Sequence, residues 1–485
     1  MKARINNVWD VIMVGAGIAN IMAAIRLLKA NPDLHILMLE KGNSIRNRFC
    51  PKDKVGKCVH CKPICQISGG FSGAGCFSDG KLTFSTEIGG NLIDYMDEST
   101  FIHLEKWVND VFTEFGGSDK ELVFDKDFAD NFSNECQRYG MKLLKSEVRH
   151  LGSDGLYHIM CQIYDWLEKH ENVKIICNAP VKYIDFQAKR VILEEEIDID
   201  NRNIWEDTFY ANYISIAVGR SGSNWLRDVC MHNDVDMENG QLDIGVRVEL
   251  PAIIMKDVTN KLYEAKIINY SQTENKVRTF CMNPGGIVVQ ENYDNNIVGV
   301  NGHSLLNTKT DATNFALLVT CKFTQPFNKP IEYGRRICEL TNFLADGKVM
   351  VQRLHDLKAK KRSTPERMKR LSFTPTLKDA EPGDLRYVLP ANVIDSLIDT
   401  IDNLNNVIPG INGKDTIFYG TEAKFYSSKI VLDPNLETKY PDIFFAGDSS
   451  GITRGIMQAG IAGALIGSII YTRIGLEPLK ELERY

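Results

Sequence analysis

Two stretches near the N-terminus hold residue types at spacings that can do chemistry. The first is Gly15-Ala16-Gly17, which follows the apolar run Val11-Ile12-Met13-Val14 and precedes an apolar-periodic stretch, Ile18 to Leu28. A second apolar run, His35 to Leu39, ends in Glu40. Glycines at such a turn let backbone N–H groups approach a diphosphate, the helix start offers donors and partial positive charge, and the acid accepts from ribose hydroxyls. This is the chemistry of a dinucleotide site, with Gly15, Gly17, Ile18, Ala19, Asn20, Glu40 and Lys41 as its candidate residues. The charge of Glu40 disfavours a 2′-phosphate and so favours FAD or NAD over NADP. Asn20 departs from the pattern, standing where a third glycine usually permits close helix–strand packing.

The second stretch is Cys50, Cys58, Cys61 and Cys65, set among Lys52, Lys54, Lys57 and Lys62. Four thiolates with a CxxC knuckle suit a tetrahedral zinc site or an iron–sulfur cluster, and the lysines favour the thiolate forms. A Cys58–Cys61 redox disulfide and free thiols in a surface loop are the other readings. Directly after it, Ser68 to Leu82 reads SGGFSGAGCFSDGKL. A backbone so bare of side chains can approach a ligand closely, and Phe71, Phe77 and Leu82 are too apolar for a flexible linker. Gly73, Gly75, Lys81 and Leu82 join the candidate cofactor contacts.

The elements that must position these residues are those of a βαβ unit, with two strands buried on both faces and a helix between them. The chain has 485 residues, a net charge of −6 and 12 cysteines. That length predicts more than one domain, and the charge gives no general reason to expect nucleic acid or an anionic membrane as partner. No signal peptide is read before the first strand, so the cysteines suggest a reducing cytoplasm. The uncharged stretch Gly455 to Thr472 is long enough to span a membrane, but its glycines and Gln458 predict an internal helix instead.

Along the whole chain the motifs GAGIAN, SGGFSGAGCFSDGKL, RHLGSDGL, DIGVRVE, RTFCMNPGG, VNGHS, KFYSS and FFAGDSSGITRG occur in that order. In this the chain resembles a family of FAD-dependent dehydrogenases that is itself similar, in its FAD half, to glutathione-reductase-type flavoproteins. The resemblance implies an α/β fold, with a discontinuous Rossmann-like FAD-binding domain at 1–90, 140–225 and 405–485. It also implies an inserted α+β substrate domain at 226–404, with 91–139 as a helical insertion or lid. It implies a backbone contact from Val181 to adenine, from a strand spanning Val173 to Val181, and a glycine near the cofactor at Gly219. There Gly219-Arg220-Ser221-Gly222 departs from the usual Ala-Thr-Gly. It further implies that Asp448, after Gly447, bonds the ribityl hydroxyls. The following helix, Ile452 to Tyr471, would then present Arg454, Gly455 and Ile456 to the flavin. No substrate comes with the resemblance.

Candidate catalytic residues in these motifs are His150, Tyr426, Lys424 and Arg278; His303 also lies in one, and Cys281 reads as a packed thiol. An arginine can clamp a carboxylate, and a histidine or tyrosine can move the proton that accompanies hydride transfer at flavin N5. No second GxGxxG with a downstream acid and no CxxxxC pair after the glycine loop occur, which argues against a fixed nicotinamide domain and a disulfide-reductase mechanism. The sequence therefore predicts a FAD oxidoreductase acting on a small, anionic or unsaturated organic substrate, with NAD(P)H or a ferredoxin-like carrier as further electron partners. The alternatives are an electron carrier using the cysteine cluster and an RNA-modifying flavoprotein using the basic run Lys358 to Arg370. That run reads more simply as a solvated surface loop, so nucleic acid and membrane are not expected partners.

Overall fold

The computed structural model describes residues 8–51, 59, 61–62, 64–77, 80–117, 124–198, 205–238, 242–292, 297–303, 309–321, 323, 329–425 and 429–475. They form two contact units: Met1–Lys120 with His150–Glu238 and Ser427–Tyr485, and Glu121–Arg149 with Asn239–Tyr426.

The first unit is built on β1 (Val8–Val14), α1 (Ile18–Ala30) and β2 (Ile36–Glu40). β1 and β2 run parallel, Val11 opposite Ile36 and Val14 opposite Leu39. Every residue of β2 is buried, as an apolar parallel strand covered on both faces requires. Then come α2 (Glu98–Glu114), α3 (Gly152–Glu168), β3 (Val173–Cys177), β4 (Val181–Asp185), β5 (Arg190–Ile197), β6 (Glu206–Ile216), β7 (Ile443–Phe445) and α4 (Ile456–Arg473). The strands lie in the order β3-β2-β1-β6-β5-β4, with β7 also on β6. β6 runs parallel to β1 along its length, and its first half pairs with β5 and its last three residues with β7.

α4 is a core helix of this unit. A Cβ at Gly463 would fall 1.9 Å from Ala19 O and one at Gly467 3.0 Å from Ala23 O, so the glycines let α4 lie backbone to backbone on α1. Its mean hydropathy of 1.2 is enough for a membrane span, but 72 % of it is buried inside the molecule. It starts at Ile456 rather than Ile452, because Asp448–Ser450 forms a separate 3-10 turn and Gly455 takes φ 84°. The stretch Val173 to Val181 also differs from the single strand expected. β3 ends at Cys177, Asn178 takes φ 56°, and Val181 opens the antiparallel β4.

The second unit centres on strand Leu242–Pro251, flanked by Ile417–Phe425 and Ala312–Cys321, both antiparallel to it. The sheet continues on one side to Met350–Arg353 and Glu381–Pro382, and on the other to Lys276–Pro284, Lys266–Tyr270 and Lys142–Leu144. Ile287–Asn292 and Val298–His303 form a separate hairpin. These pairings place the boundaries differently from the sequence reading. Residues 405–425 belong to this unit because Ile417–Phe425 pairs with its central strand. The span 91–139 is divided: α2 belongs to the first unit, while helix Lys126–Arg138 belongs to the second.

A buried carboxylate anchors one loop of this unit. Glu249 accepts from Tyr419 Oη at 2.7 Å and from the Thr376 hydroxyl, which itself accepts from Val288 N at 2.8 Å. Burial raises the Glu249 pKa, against the lowering effect of these hydrogen bonds. A carboxyl whose folded pKa is raised binds its proton more tightly folded than unfolded, so its contribution to stability falls as pH rises through that pKa. Glu249→Gln, which keeps an acceptor but cannot ionise, is therefore expected to gain on wild type in urea unfolding as pH rises above the ordinary glutamate range. An unchanged difference in unfolding free energy over that rise would show that Glu249 does not titrate with folding.

Candidate dinucleotide cradle and residues of the second unit

The turn from β1 to α1 is fixed by Gly15, which takes φ 89° and whose Cβ would lie 2.5 Å from Ala217 O. Gly17 is different. It is the N-cap of α1 with an ordinary extended backbone, and a Cβ there would meet Ala217 O at a comfortable 3.6 Å. Ala217, just past β6, is a meeting point for remote parts of the sequence. A Cβ on Gly447 would lie 3.7 Å from Ala217 Cβ, and one on Gly73 3.5 Å from Gly17 Cα. A Cβ on Gly75 would touch Ile18 at 3.3 Å and Ile456 at 3.6 Å. Candidates from residues 15–18, 73–75 and 447–456 are thus brought to one place. At Gly219 (φ 63°) and Gly455 (φ 84°) no atom of the described residues, chain neighbours aside, lies within 4 Å of the Cβ position. The first intrahelical bond of α1 runs from Ile21 N to Gly17 O, and its first turn holds neither an acid nor a side-chain cap. Its leading amides are therefore available to an anion.

Glu40 holds the cradle together. Its Oε2 accepts from Ala16 N at 2.9 Å, and Oε1 accepts from Gly42 N at 2.8 Å and Gly70 N at 3.0 Å. One side chain so ties the β1–α1 turn, the end of β2 and the glycine-rich loop. A carboxylate offers about four acceptor sites, so one remains for a ribose hydroxyl. The loop is tied a second time by Arg48, whose guanidinium donates to Gln66 O, Ile67 O and Phe71 O at 3.0, 2.9 and 2.6 Å. Burial lowers the Arg48 pKa. Nothing in the local sequence marked Arg48, since its acceptors are main-chain carbonyls.

Asn20 replaces the third glycine with a hydrogen-bonded staple. Its Nδ2 donates to Val14 O, Gly15 O and Ser215 O at 3.1, 2.7 and 3.3 Å, and its Oδ1 accepts from Ser215 Oγ at 2.7 Å. Asn20 and Ser215 are fully buried, and the pair locks the turn to β6. Asp448, half-buried, accepts from Arg220 Nε at 3.1 Å. Burial raises its pKa, while Arg220 and Arg454 lower it. The departure at residues 219–222 thus supplies a cation for Asp448. Arg454 N donates to Gly89 O at 2.5 Å.

The remaining candidates are more dispersed. Lys81 is half-buried and Leu82 fully buried in strand Lys81–Phe84, and Lys41 is exposed. Asn178 N donates to Gly42 O and Ala179 N to Glu40 O, so the approach to Val181 runs beside the end of β2. His150 is half-buried at the end of strand Glu147–His150, and the next amide, Leu151 N, donates to Gly80 O at 2.9 Å. Cys50 and Cys61 are half-buried and Cys65 is exposed, while Cys58 lies outside the described residues. Among the described residues no three His, Cys, Asp or Glu side chains converge as metal ligands.

In the second unit, Tyr426 lies outside the described residues. Arg278, expected to be able to clamp a substrate carboxylate, is paired with Asp243, which also accepts from Thr320 Oγ1 at 2.8 Å. Asp243 is fully buried, so the guanidinium compensates an internal charge. Lys424 is buried beside Glu422 and Glu291, which raise its pKa against the opposing effect of burial. Missing from the sequence candidates are Arg247 and Glu422, both completely buried and joined at 2.8 Å.

Residues 241–425 match the family described as FAD-dependent protein, C-terminal domain-like. That span falls entirely in the second unit. An uncharacterized protein of Clostridium beijerinckii is 24% identical over 96% of this chain and 81% of its own length. Among solved structures, quinol fumarate reductase of E. coli aligns with a TM-score of 0.39 and 14% identity, covering 96% of this chain and 70% of that one. Glycine oxidase from Geobacillus kaustophilus aligns with a TM-score of 0.40 and 10% identity, covering 96% and 95%. The fold class rests on the strand order and register above: a Rossmann-like α/β unit, and a second unit whose residues 241–425 are similar to the FAD-dependent protein, C-terminal domain-like family.

Proposed function

We propose that the chain is a FAD-dependent oxidoreductase that transfers a hydride between flavin N5 and a small organic substrate, as a dehydrogenase or an ene-type reductase. The observation that carries this reading is the cradle around Ala217. There Gly17 is a glycine although the protein leaves room for a side chain, while Gly15 is one because the protein does not. A position kept bare without a packing reason fits close approach by a diphosphate. The match of residues 241–425 to a FAD-dependent domain supports FAD over NAD as the nucleotide.

Bound FAD supplies a two-electron centre at N5. The amides of Ile18, Ala19 and Asn20 would hold its diphosphate, the spare acceptor site of Glu40 would take a ribose hydroxyl, and Asp448 would accept from its ribityl chain. The head of α4, at Gly455 and Ile456, would supply partial positive charge that favours the negatively charged reduced ring. His150 and Tyr426 are the groups proposed to move the accompanying proton, and Lys424 the one to meet the substrate. NAD(P)H or a ferredoxin-like carrier remains the proposed source or sink of the electrons when the substrate supplies only one half-reaction.

Gly17→Ala tests the reading. The unliganded variant is expected to unfold at the same denaturant concentration as wild type and to bind FAD at least about tenfold more weakly, or 1.4 kcal/mol. Titration of FAD into deflavinated protein, followed by flavin fluorescence, reads the affinity. Equal affinities for variant and wild type would remove the cradle from the diphosphate site.

A further inference from the structure

The basic run Lys358–Arg370 carries seven lysines and arginines against one acid, Glu366, in a chain whose net charge is −6. It is a folded part of the second unit. Lys361 N donates to Asp356 O at 2.9 Å and Ser363 N to Gly383 O at 3.0 Å, and Arg367 Nη1 reaches back to Arg362 O at 2.6 Å. Its apolar side chains are turned to the core: Met368, with Leu371 and Phe373 just beyond the run, packs on the cluster that holds Val349, Val351, Ile417 and Tyr419. What remains outside is charge. Lys360, Lys361, Lys369 and Arg370 are exposed and make no ion pair among the described residues.

The acids within reach do not cancel this charge. Lys358 and Arg362 have partners of their own in Asp402 and Glu381. Asp356, buried, is shared by two guanidiniums, Arg353 at 3.9 Å and Arg367 at 3.8 Å, and accepts a hydrogen bond from Ser363 Oγ at 2.8 Å. Arg353 is itself buried, and its Nε has no hydrogen-bond partner among the described residues. Two cations on one carboxylate leave positive charge in surplus even inside the segment.

The run holds no aromatic residue, and the fold brings one to it. Gln352 Nε2 donates to Lys361 O at 2.9 Å and to Asp384 Oδ1 at 3.3 Å, while its Oε1 accepts from Leu385 N at 2.8 Å. Residues 361–363 thus lie along 382–385, and Tyr387, two residues further, is 74% exposed.

We infer that this face of the second unit binds single-stranded nucleic acid, with phosphates on Lys360, Lys361, Lys369 and Arg370 and one base stacked on Tyr387. Unpaired cations take the place of the counterions condensed on a phosphate backbone, and an aromatic ring accepts a base of any sequence. Bases in a duplex are stacked on one another and offer no face to a ring, which selects the single strand. An acidic protein fits this face less well. The centre of a protein–protein interface is apolar, and here the apolar side chains of the run are on the core. The inference goes beyond the flavin reading and does not rest on it.

Fluorescence anisotropy of a labelled oligouridylate of about 12 nucleotides, titrated with the purified flavin-loaded protein, tests it. Sequence-independent binding of this kind is expected at about 1–100 μM near physiological salt. Log affinity is expected to fall with log salt with a slope of about −3, from about −0.7 per phosphate over four cations. Lys360→Gln, Lys361→Gln, Lys369→Gln and Arg370→Gln together are expected to flatten that slope and weaken binding at least about tenfold. Tyr387→Ala is expected to weaken it at least about fivefold with the slope unchanged, and Tyr387→Phe to restore it. All five side chains are exposed, so the variants are expected to unfold at the same urea concentration as wild type. No rise in anisotropy would overturn the inference, as would a Tyr387→Ala variant that binds like wild type. So would a duplex of the same length that binds as tightly as the single strand. Unlabelled polyglutamate competing as well as unlabelled oligouridylate would assign the face to acidic proteins and overturn it too.

Discussion

Gly15→Ala is expected to yield a protein that retains no flavin and unfolds at a clearly lower denaturant concentration than wild type. Two costs combine. The backbone at 15 takes φ 89°, a conformation that costs a non-glycine residue about 1–2 kcal/mol. The new methyl would also sit 2.5 Å from Ala217 O, on main chain that is held on both sides by sheet hydrogen bonds. Overpacking of this kind adds about 1–3 kcal/mol. If the turn relaxes to relieve both, the amides at the head of α1 move with it, so cofactor retention and stability fall together. Urea unfolding combined with the flavin content of the purified variant checks this. Wild-type values of both would mean that the close approach of Gly15 to Ala217 is not a feature of the folded protein.

The second large effect is expected at Glu422. Glu422→Leu leaves Arg247 buried without its carboxylate and Lys424 without its nearer one, and breaking a buried pair from one side costs about 3–5 kcal/mol. Replacing both partners is gentler, because no uncompensated guanidinium then remains. The double variant Arg247→Met, Glu422→Leu is therefore expected to be more stable than Glu422→Leu alone, with a coupling energy well outside additivity. Denaturation of the two single variants and the double variant forms the cycle. A double variant less stable than either single one would show that the two side chains act independently.

The contrast between these two sites explains what the sequence could disclose. Gly15, Gly17 and Glu40 were legible because a turn, a helix start and the end of the next strand lie close together in the chain and their chemistry is local. Asn20 was visible as a departure, but its reason needed Ser215, which only the pairing of β1 with β6 brings beside it. Arg247 and Glu249 were hidden by their own pattern. Leu242–Glu249 alternates apolar and polar, as a strand with one wet face does, yet residues 242–250 are all buried. The supposed wet face is covered, as the bond from Arg247 to Asn301 on the hairpin Ile287–His303 shows. Alternation reports which residues share a face and not what lies over it. The partner of Arg278 was hidden for a related reason: Asp243 is an acid on that same covered face.

The central claim, that the first unit holds FAD, is tested most directly by what the purified chain releases on unfolding. Protein denatured in the dark and separated by liquid chromatography is expected to yield FAD, one per chain, with no FMN or NAD. Recovery of no flavin, together with no uptake when the refolded or deflavinated protein is incubated with excess FAD, would contradict it.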